Sequence, residues 1–182
     1  MSYLRNIVFI GLRGSGKTTV ARSLAKLIER ETFDTDEWIQ RRAKAGVAEI
    51  FARLGEAGFR ALEHEAVVNA LQHNGRVISV GGGAVMEPDN RLLLKSSATC
   101  VWLTAPVEVL CERVRNDPRT LATRPALTAL DPLSELRALA AARGPFYQEL
   151  AEFIVNTEGR TVAQVVQLVR AALGPERGAT TP

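Results

Sequence analysis

The sequence predicts an α/β fold of three layers, a doubly wound parallel sheet with helices on both faces. Three observations lead there. Five short apolar runs alternate with segments of helical period, the pattern of parallel strands joined by crossover helices. The first run flows into a glycine-rich loop that opens a helix. The residue types that carry chemistry fall just after strand ends or on adjoining helices, where open α/β sheets bind their ligands.

The first strand is Asn6-Ile7-Val8-Phe9-Ile10. Gly11-Leu12-Arg13-Gly14-Ser15-Gly16-Lys17-Thr18 follows and completes the pattern G-x-x-x-x-G-K-[ST]. Thr19 to Arg30 then places Val20, Leu24, Leu27 and Ile28 on one helical face. A strand, a glycine turn and a helix N-terminus in that order aim backbone N–H groups and the positive end of the helix dipole at one point. That arrangement suits polyphosphate. Gly14, Ser15, Gly16, Lys17, Thr18 and Thr19 are the residues expected at a nucleoside triphosphate. Lys17 would reach the β- and γ-phosphates, and the Thr18 hydroxyl would face Mg²⁺.

Glu31 to Asp34 is a weaker second strand, inferred mainly from the Asp34-Thr35-Asp36 that ends it. Helical stretches follow over Asp36 to Lys44, Val47 to Leu54 and Glu56 to His73. Arg76 to Val80 is the third strand and runs directly into Gly81-Gly82-Gly83. Ala98 to Leu103 is the fourth, followed by a helix over Val107 to Val114. Residues 116–132 show no period and hold Pro118, Pro125 and Pro132 with Arg119 and Arg124. A loop of that length in a compact domain is functional or disordered, and here it reads as a mobile lid. Leu133 to Leu150 is helical with an interruption expected at Gly144-Pro145. Phe153 to Asn156 is the fifth strand and Thr161 to Leu173 the closing helix. One domain over residues 1–175 is expected, with a disordered tail at 176–182.

Composition narrows the function classes. A chain of 182 residues, 46% hydrophobic, has enough apolar surface for one sizeable core. Its net charge of +3 is modest, and only four of its 23 basic residues are lysines, Lys17, Lys26, Lys44 and Lys95. Arginine's planar fork suits phosphates and carboxylates. No basic run with interleaved aromatics marks a nucleic-acid groove. Cys100 and Cys111 form neither a disulfide framework nor a metal-ligand spacing. No stretch approaches the roughly 20 apolar residues of a membrane span. The chain enters its first strand without a leader, so a cytoplasmic protein is expected; its ligands are expected to be small molecules and the protein a monomer.

The acceptor side is read from four further features. Asp34 and Asp36, two apart in extended backbone, would point to one side. One could hold a water on Mg²⁺ while the other orients a hydroxyl and accepts its proton; Asp36 could equally cap the helix starting near Glu37. Arg60 and Glu63 share a helix face at i, i+3 spacing, as a fixed ligand arginine or as an ordinary helix pair. Gly81 to Gly83 would let backbone approach a ligand closely. Arg124 is the lid arginine that would stabilise charge on the transferring phosphoryl group. His64 and His73 read as structural or surface residues. On these residues alone the acceptor stays open. A nucleotide, gluconate or a related hydroxy acid are alternatives, as is a nucleotide-binding switch without turnover.

The set as a whole resembles the shikimate kinase family from about Asn6 to Arg170. The matching elements are the phosphate loop, Asp34-Thr35-Asp36, Ile50-Phe51, Gly55-Glu56, Phe59-Arg60 with Glu63, Gly81-Gly82-Gly83, Arg124-Pro125, and Arg143 with Tyr147. The resemblance implies a nucleoside-monophosphate-kinase-like fold with a five-stranded parallel sheet. It implies transfer of the ATP γ-phosphate to the 3-hydroxyl of shikimate, in aromatic amino-acid biosynthesis, with Mg²⁺. By resemblance, Asp36 meets the shikimate hydroxyls and serves as base, and Asp34 is associated with Mg²⁺. Arg60 and Arg143 grip the substrate carboxylate, as two bidentate forks are suited to do. Gly82 and Gly83 approach the substrate by their backbone, Phe51 and Phe59 line the pocket beneath the ring, and Arg124 is the lid arginine. Arg113 lies near adenine, a place that Arg115 or Arg119 could also fill. The lid reads Arg124-Pro125-Ala126-Leu127 where many members carry Arg-Pro-Leu-Leu, and a longer stretch precedes it than in the shortest members.

Overall fold

Five parallel strands form one sheet in the order β2-β3-β1-β4-β5 in the computed structural model, which describes residues 4–117 and 131–174. In chain order the elements are β1 (Asn6–Ile10), α1 (Lys17–Leu27), β2 (Thr32–Asp34), α2 (Thr35–Ala43), α3 (Val47–Leu71) and β3 (Val77–Ser79). A 3₁₀ turn (Ala84–Met86), α4 (Pro88–Ser97), β4 (Ala98–Thr104), α5 (Val107–Asn116), α6 (Pro132–Leu150), β5 (Phe153–Asn156) and α7 (Val162–Leu173) follow. Most of the segment read as a lid, with Arg119 and Arg124, lies outside the described residues, as does the tail.

The alternation of side chains along β1 builds the layers. Ile7 and Phe9 point to one face, where they pack with Val20 and Leu24 of α1 and Val165, Val166 and Val169 of α7. Val8 and Ile10 point to the other, against Val67 of α3, Leu94 of α4, Leu110 of α5 and Leu136 and Tyr147 of α6. All five β1 residues are buried, as expected of a central parallel strand. A satellite cluster of Ile39, Val47, Ile50, Phe59 and Ala66 joins α2 to α3 beyond the sheet edge.

Two differences from the sequence reading have physical causes. The helix α4 was not anticipated, because its ten residues carry Leu92, Leu93 and Leu94 in a row rather than at helical spacing. Pro88 at its start and Asp89 in its first turn are the signals that mark it. The break expected between Val47 to Leu54 and Glu56 to His73 is present, since Gly55, at φ 67° and ψ −174°, is non-helical within the span α3. The interruption expected at Gly144-Pro145 does not occur; α6 runs through Pro145. Proline removes the donor to the carbonyl four residues back, and Ala141 at that place is exposed, so water can satisfy it.

β1 ends where backbone comes against backbone. Gly11 holds φ 138°, and a Cβ there would run into the Leu103 carbonyl of β4. Gly11→Ala combines a conformation unsuited to L residues with that collision, and is expected to lower stability by about 3 kcal/mol. Urea unfolding measures it; a loss under 0.5 kcal/mol would contradict this account of the strand end.

Candidate active site

The donor half is the turn between β1 and α1. Gly14 and Gly16 take φ 80° and 90°, the left-handed region open to glycine. A side chain on Gly14 would also strike the Leu110 carbonyl of α5. The Ser15 hydroxyl, buried, donates to the Leu12 carbonyl at 2.8 Å and closes the loop on itself. Lys17 Nζ donates to the carbonyls of Gly11 and Leu12, each at 2.9 Å, so the ammonium lies across the loop's own curve. Thr18 is half-buried and Thr19 exposed. Arg113, on α5, donates to the Thr157 hydroxyl and carbonyl at 2.8 Å each, and to the Gly14 carbonyl at 3.4 Å. It thus bridges the phosphate loop and the turn after β5, whereas Arg115 is exposed.

The backbone that carries the aspartates differs from the sequence reading. β2 ends at Asp34 and α2 begins at Thr35, so the two carboxylates do not share an extended backbone. Asp34, not Asp36, is the N-cap: its Oδ1 accepts from the Glu37 amide at 3.1 Å. Its Oδ2 accepts from the Thr18 hydroxyl at 2.7 Å, and Thr18 also lies 3.3 Å from Ser79 Oγ. Asp34 is therefore bound to the donor loop, and Asp36 is released from capping to face the end of β3.

That strand end gathers the acceptor side. The Gly81 amide donates to the buried Thr35 hydroxyl at 2.9 Å, which fixes the glycine turn on α2. A Cβ on Gly81 would lie 2.8 Å from Asp36 Oδ1 and 2.9 Å from Glu63 Oε1. A Cβ on Gly82 would lie 3.2 Å from Arg143 Nη1 and 3.2 Å from the Gly11 carbonyl. One on Gly83 would overlap the Arg60 guanidinium. The triplet is thus the floor on which two carboxylates, two arginines and the phosphate loop converge. The Tyr147 hydroxyl donates to the Gly82 carbonyl at 2.6 Å and holds α6 to the same floor.

Electrostatics sharpen the picture. Arg60 donates to Glu63 at 2.6 Å and reaches the exposed Glu56 at 3.4 Å. Glu63 is 1% exposed. Burial pushes its carboxyl up to about 7; Arg60 opposes this, while the charge of Asp36 reinforces it. Burial also acts against the Arg60 cation, but Glu63 outweighs it and leaves that pKa raised. Glu63, not Arg60, is the member of the pair that gives up its charge near neutrality. Burial pushes the Tyr147 phenol up to about 12, so it stays a donor. Phe51 and Phe59 stack with centroids 4.3 Å apart. Phe59 is buried in the satellite cluster, and Phe51 is the partly exposed ring of the two.

Two features escaped the sequence reading. Thr35 stands in the sequence simply between two aspartates, and its bond to Gly81 spans 46 positions. Arg13, inside the phosphate loop, pairs with the buried Glu135 of α6 at 2.6 Å across 122 positions. No local pattern signals either contact. His64 is structural as expected, its Nδ1 lying 2.7 Å from Asn90 Oδ1.

Comparison with known proteins follows the same lines. The family model described as shikimate kinase matches residues 13–173. A shikimate kinase of Symbiobacterium thermophilum is 44% identical over 95% of this chain and 98% of its own. One of Burkholderia pseudomallei is 40% identical over 90% and 87%. The solved shikimate kinase from Acinetobacter baumannii, in complex with shikimate, superposes with a TM-score of 0.85 at 36% identity, covering 91% of this chain and 90% of that one. With the family model spanning most of its length and the same sheet beneath it, this chain belongs to the shikimate kinase family.

Proposed function

We propose that the chain transfers the γ-phosphate of ATP to the 3-hydroxyl of shikimate, with Asp36 and Lys17 as the catalytic residues described here. The observation that carries this reading is Gly82, whose α-carbon faces both the Gly11 carbonyl of the donor loop and Arg143 of the acceptor side. One small residue separates a phosphate cradle from a carboxylate fork. Gly14 to Thr19 and Arg113 bind the nucleotide. Arg60 and Arg143 hold the shikimate carboxylate, with Gly82 and Gly83 as floor and Phe51 and Phe59 beneath the ring. Asp36 orients the 3-hydroxyl and accepts its proton as the phosphoryl group leaves ADP. Lys17 leaves the loop carbonyls for the β- and γ-phosphates, where its charge meets the developing negative charge. Arg124 is assigned to the same charge from sequence alone.

The donor set fits Mg²⁺. No described group of three or more His, Cys, Asp or Glu side chains could hold a metal by itself, and Mg²⁺ is held by one or two protein oxygens with phosphates and waters completing the shell. Thr18 would contribute its hydroxyl and Asp34 would act through a water. When bound, the ion neutralises charge on the transferring phosphates. We assign a monomer, and sedimentation at assay concentration checks it. No described helix is long and apolar enough to cross a membrane. The two buried free thiols suit the reducing cytoplasm, the compartment we assign.

A coupled assay for ADP release, run with ATP and a panel of shikimate, gluconate and deoxyadenosine, tests the reading. Turnover confined to shikimate is expected; turnover with another acceptor and none with shikimate would refute it. The site also has an expected pH dependence. A carboxylate bound beside Glu63 raises that group's pKa further, so binding takes up a proton. Shikimate affinity is then full below about pH 7 and falls as pH rises through that value. Titration calorimetry between pH 6 and 9 checks this. Glu63→Gln should flatten the profile, and a flat wild-type profile would contradict the placement of Glu63.

A further inference from the structure

The pair Arg13–Glu135 is not needed for any role assigned above, yet it is among the most buried charge pairs described. Glu135 is 1% exposed and the Arg13 side chain 13%. Arg13 Nε is buried with no acceptor among the described residues. Arg13 stands between Leu12, whose carbonyl accepts from Lys17, and Gly14, whose carbonyl accepts from Arg113. Glu135 stands in the first turn of α6, its amide bonded to the Asp131 carbonyl and the helix capped by the Asp131 carboxylate. Eight residues further along α6, about 12 Å of helix, is Arg143, and Tyr147 follows one turn later on Gly82.

A buried ion pair adds little stability over an apolar pair of like volume; where one persists, register is its best attested use. We infer that Arg13 and Glu135 are positioning residues that fix α6 against the phosphate loop, and so set the spacing between the donor γ-phosphate and the fork that holds the acceptor carboxylate. The helix is pinned near both ends, to the donor loop by Glu135 and to the glycine floor by Tyr147. Freed at Glu135, it keeps Arg143 and its grip on the carboxylate. What it loses is the alignment of the held hydroxyl with the phosphorus. A misplacement of about 1 Å in such an alignment costs as much as 100-fold in rate.

The inference rests on the reaction proposed above. Wild-type turnover of ATP and shikimate is therefore measured first in the same assay; its absence would overturn that reaction, whereas this inference fails on the variants alone. In Arg13→Met/Glu135→Leu an apolar pair replaces the ionic one. We expect kcat to fall at least tenfold, the KM of each substrate to stay within about threefold, and the melting temperature to stay near that of the wild type. Wild-type kcat in this double variant would overturn the inference and leave the pair a packing element. Glu135→Asp keeps the charge and retracts the carboxylate by one methylene. It should lower kcat with KM unchanged, and it decides the matter if the double variant does not fold. A loss in Arg13→Met with none in Glu135→Asp would also overturn the pairing, since Arg13 would then act on the phosphates by itself.

Discussion

Asp36→Asn is expected to lower kcat by about 10² to 10⁴-fold, the range over which a positioned general base contributes, while the KM for ATP and for shikimate changes little. Asparagine keeps the shape and a hydrogen bond to the hydroxyl but cannot take its proton. The cap of α2 and the bond to Thr18 both come from Asp34, not from Asp36. Helix α2 therefore loses no cap in the variant, and its melting temperature should match the wild type. Steady-state kinetics with both substrates varied reads the split directly. A variant with wild-type kcat would remove Asp36 from the proton path.

Arg60→Ala is expected to act on binding instead. A charge-assisted hydrogen bond contributes about 1.5–3 kcal/mol, so the shikimate KM should rise roughly 10- to 150-fold with a smaller change in kcat. The same variant is also expected to be less stable, because Glu63 loses its partner at 2.6 Å inside the protein. Removing one member of a buried pair costs about 3–5 kcal/mol. Without Arg60 the Glu63 carboxyl, already raised to about 7, rises further. A carboxyl whose folded pKa exceeds its unfolded value adds stability below the unfolded pKa, and that stability is lost as pH rises through the folded one. The variant should therefore lose more against wild type at pH 8 than at pH 5.5. Arg60→Ala/Glu63→Gln should recover the stability and keep the raised KM. Recovery of both would show that Arg60 serves the fold alone.

Much of this was legible in the sequence because it is local. β1, β4 and β5 are apolar runs bounded by turn residues, and Gly11 to Thr18 is a contiguous motif whose backbone geometry its glycines dictate. The pairing of Arg60 with Glu63 follows from helix spacing. The order of motifs along the chain carried the acceptor side, through resemblance rather than through any one residue. What was not legible lies across the fold or depends on where an element starts. The capping oxygen passed from Asp36 to Asp34 because α2 begins two residues earlier than Glu37, and boundaries are the weakest reading of a local pattern. α4 shows no clear helical period in the sequence because Leu92, Leu93 and Leu94 are consecutive, although the fold exposes Leu92 and buries Leu94. The Thr35–Gly81 and Arg13–Glu135 contacts exist only once the sheet has brought β3 and α6 beside the phosphate loop.

If Gly81 to Gly83 carries a site for a carboxylate facing the phosphate cradle, calorimetric titration with shikimate and its methyl ester will separate the two ligands. The ester keeps the ring and all three hydroxyls, loses the negative charge and gains one methyl. Shikimate should bind, and the ester at least about 50-fold more weakly, since two guanidinium partners at about 1.5 kcal/mol each are lost or reduced. Equal affinities would show that Arg60 and Arg143 do not hold the acceptor's carboxylate, and the assignment of this site would fall with them.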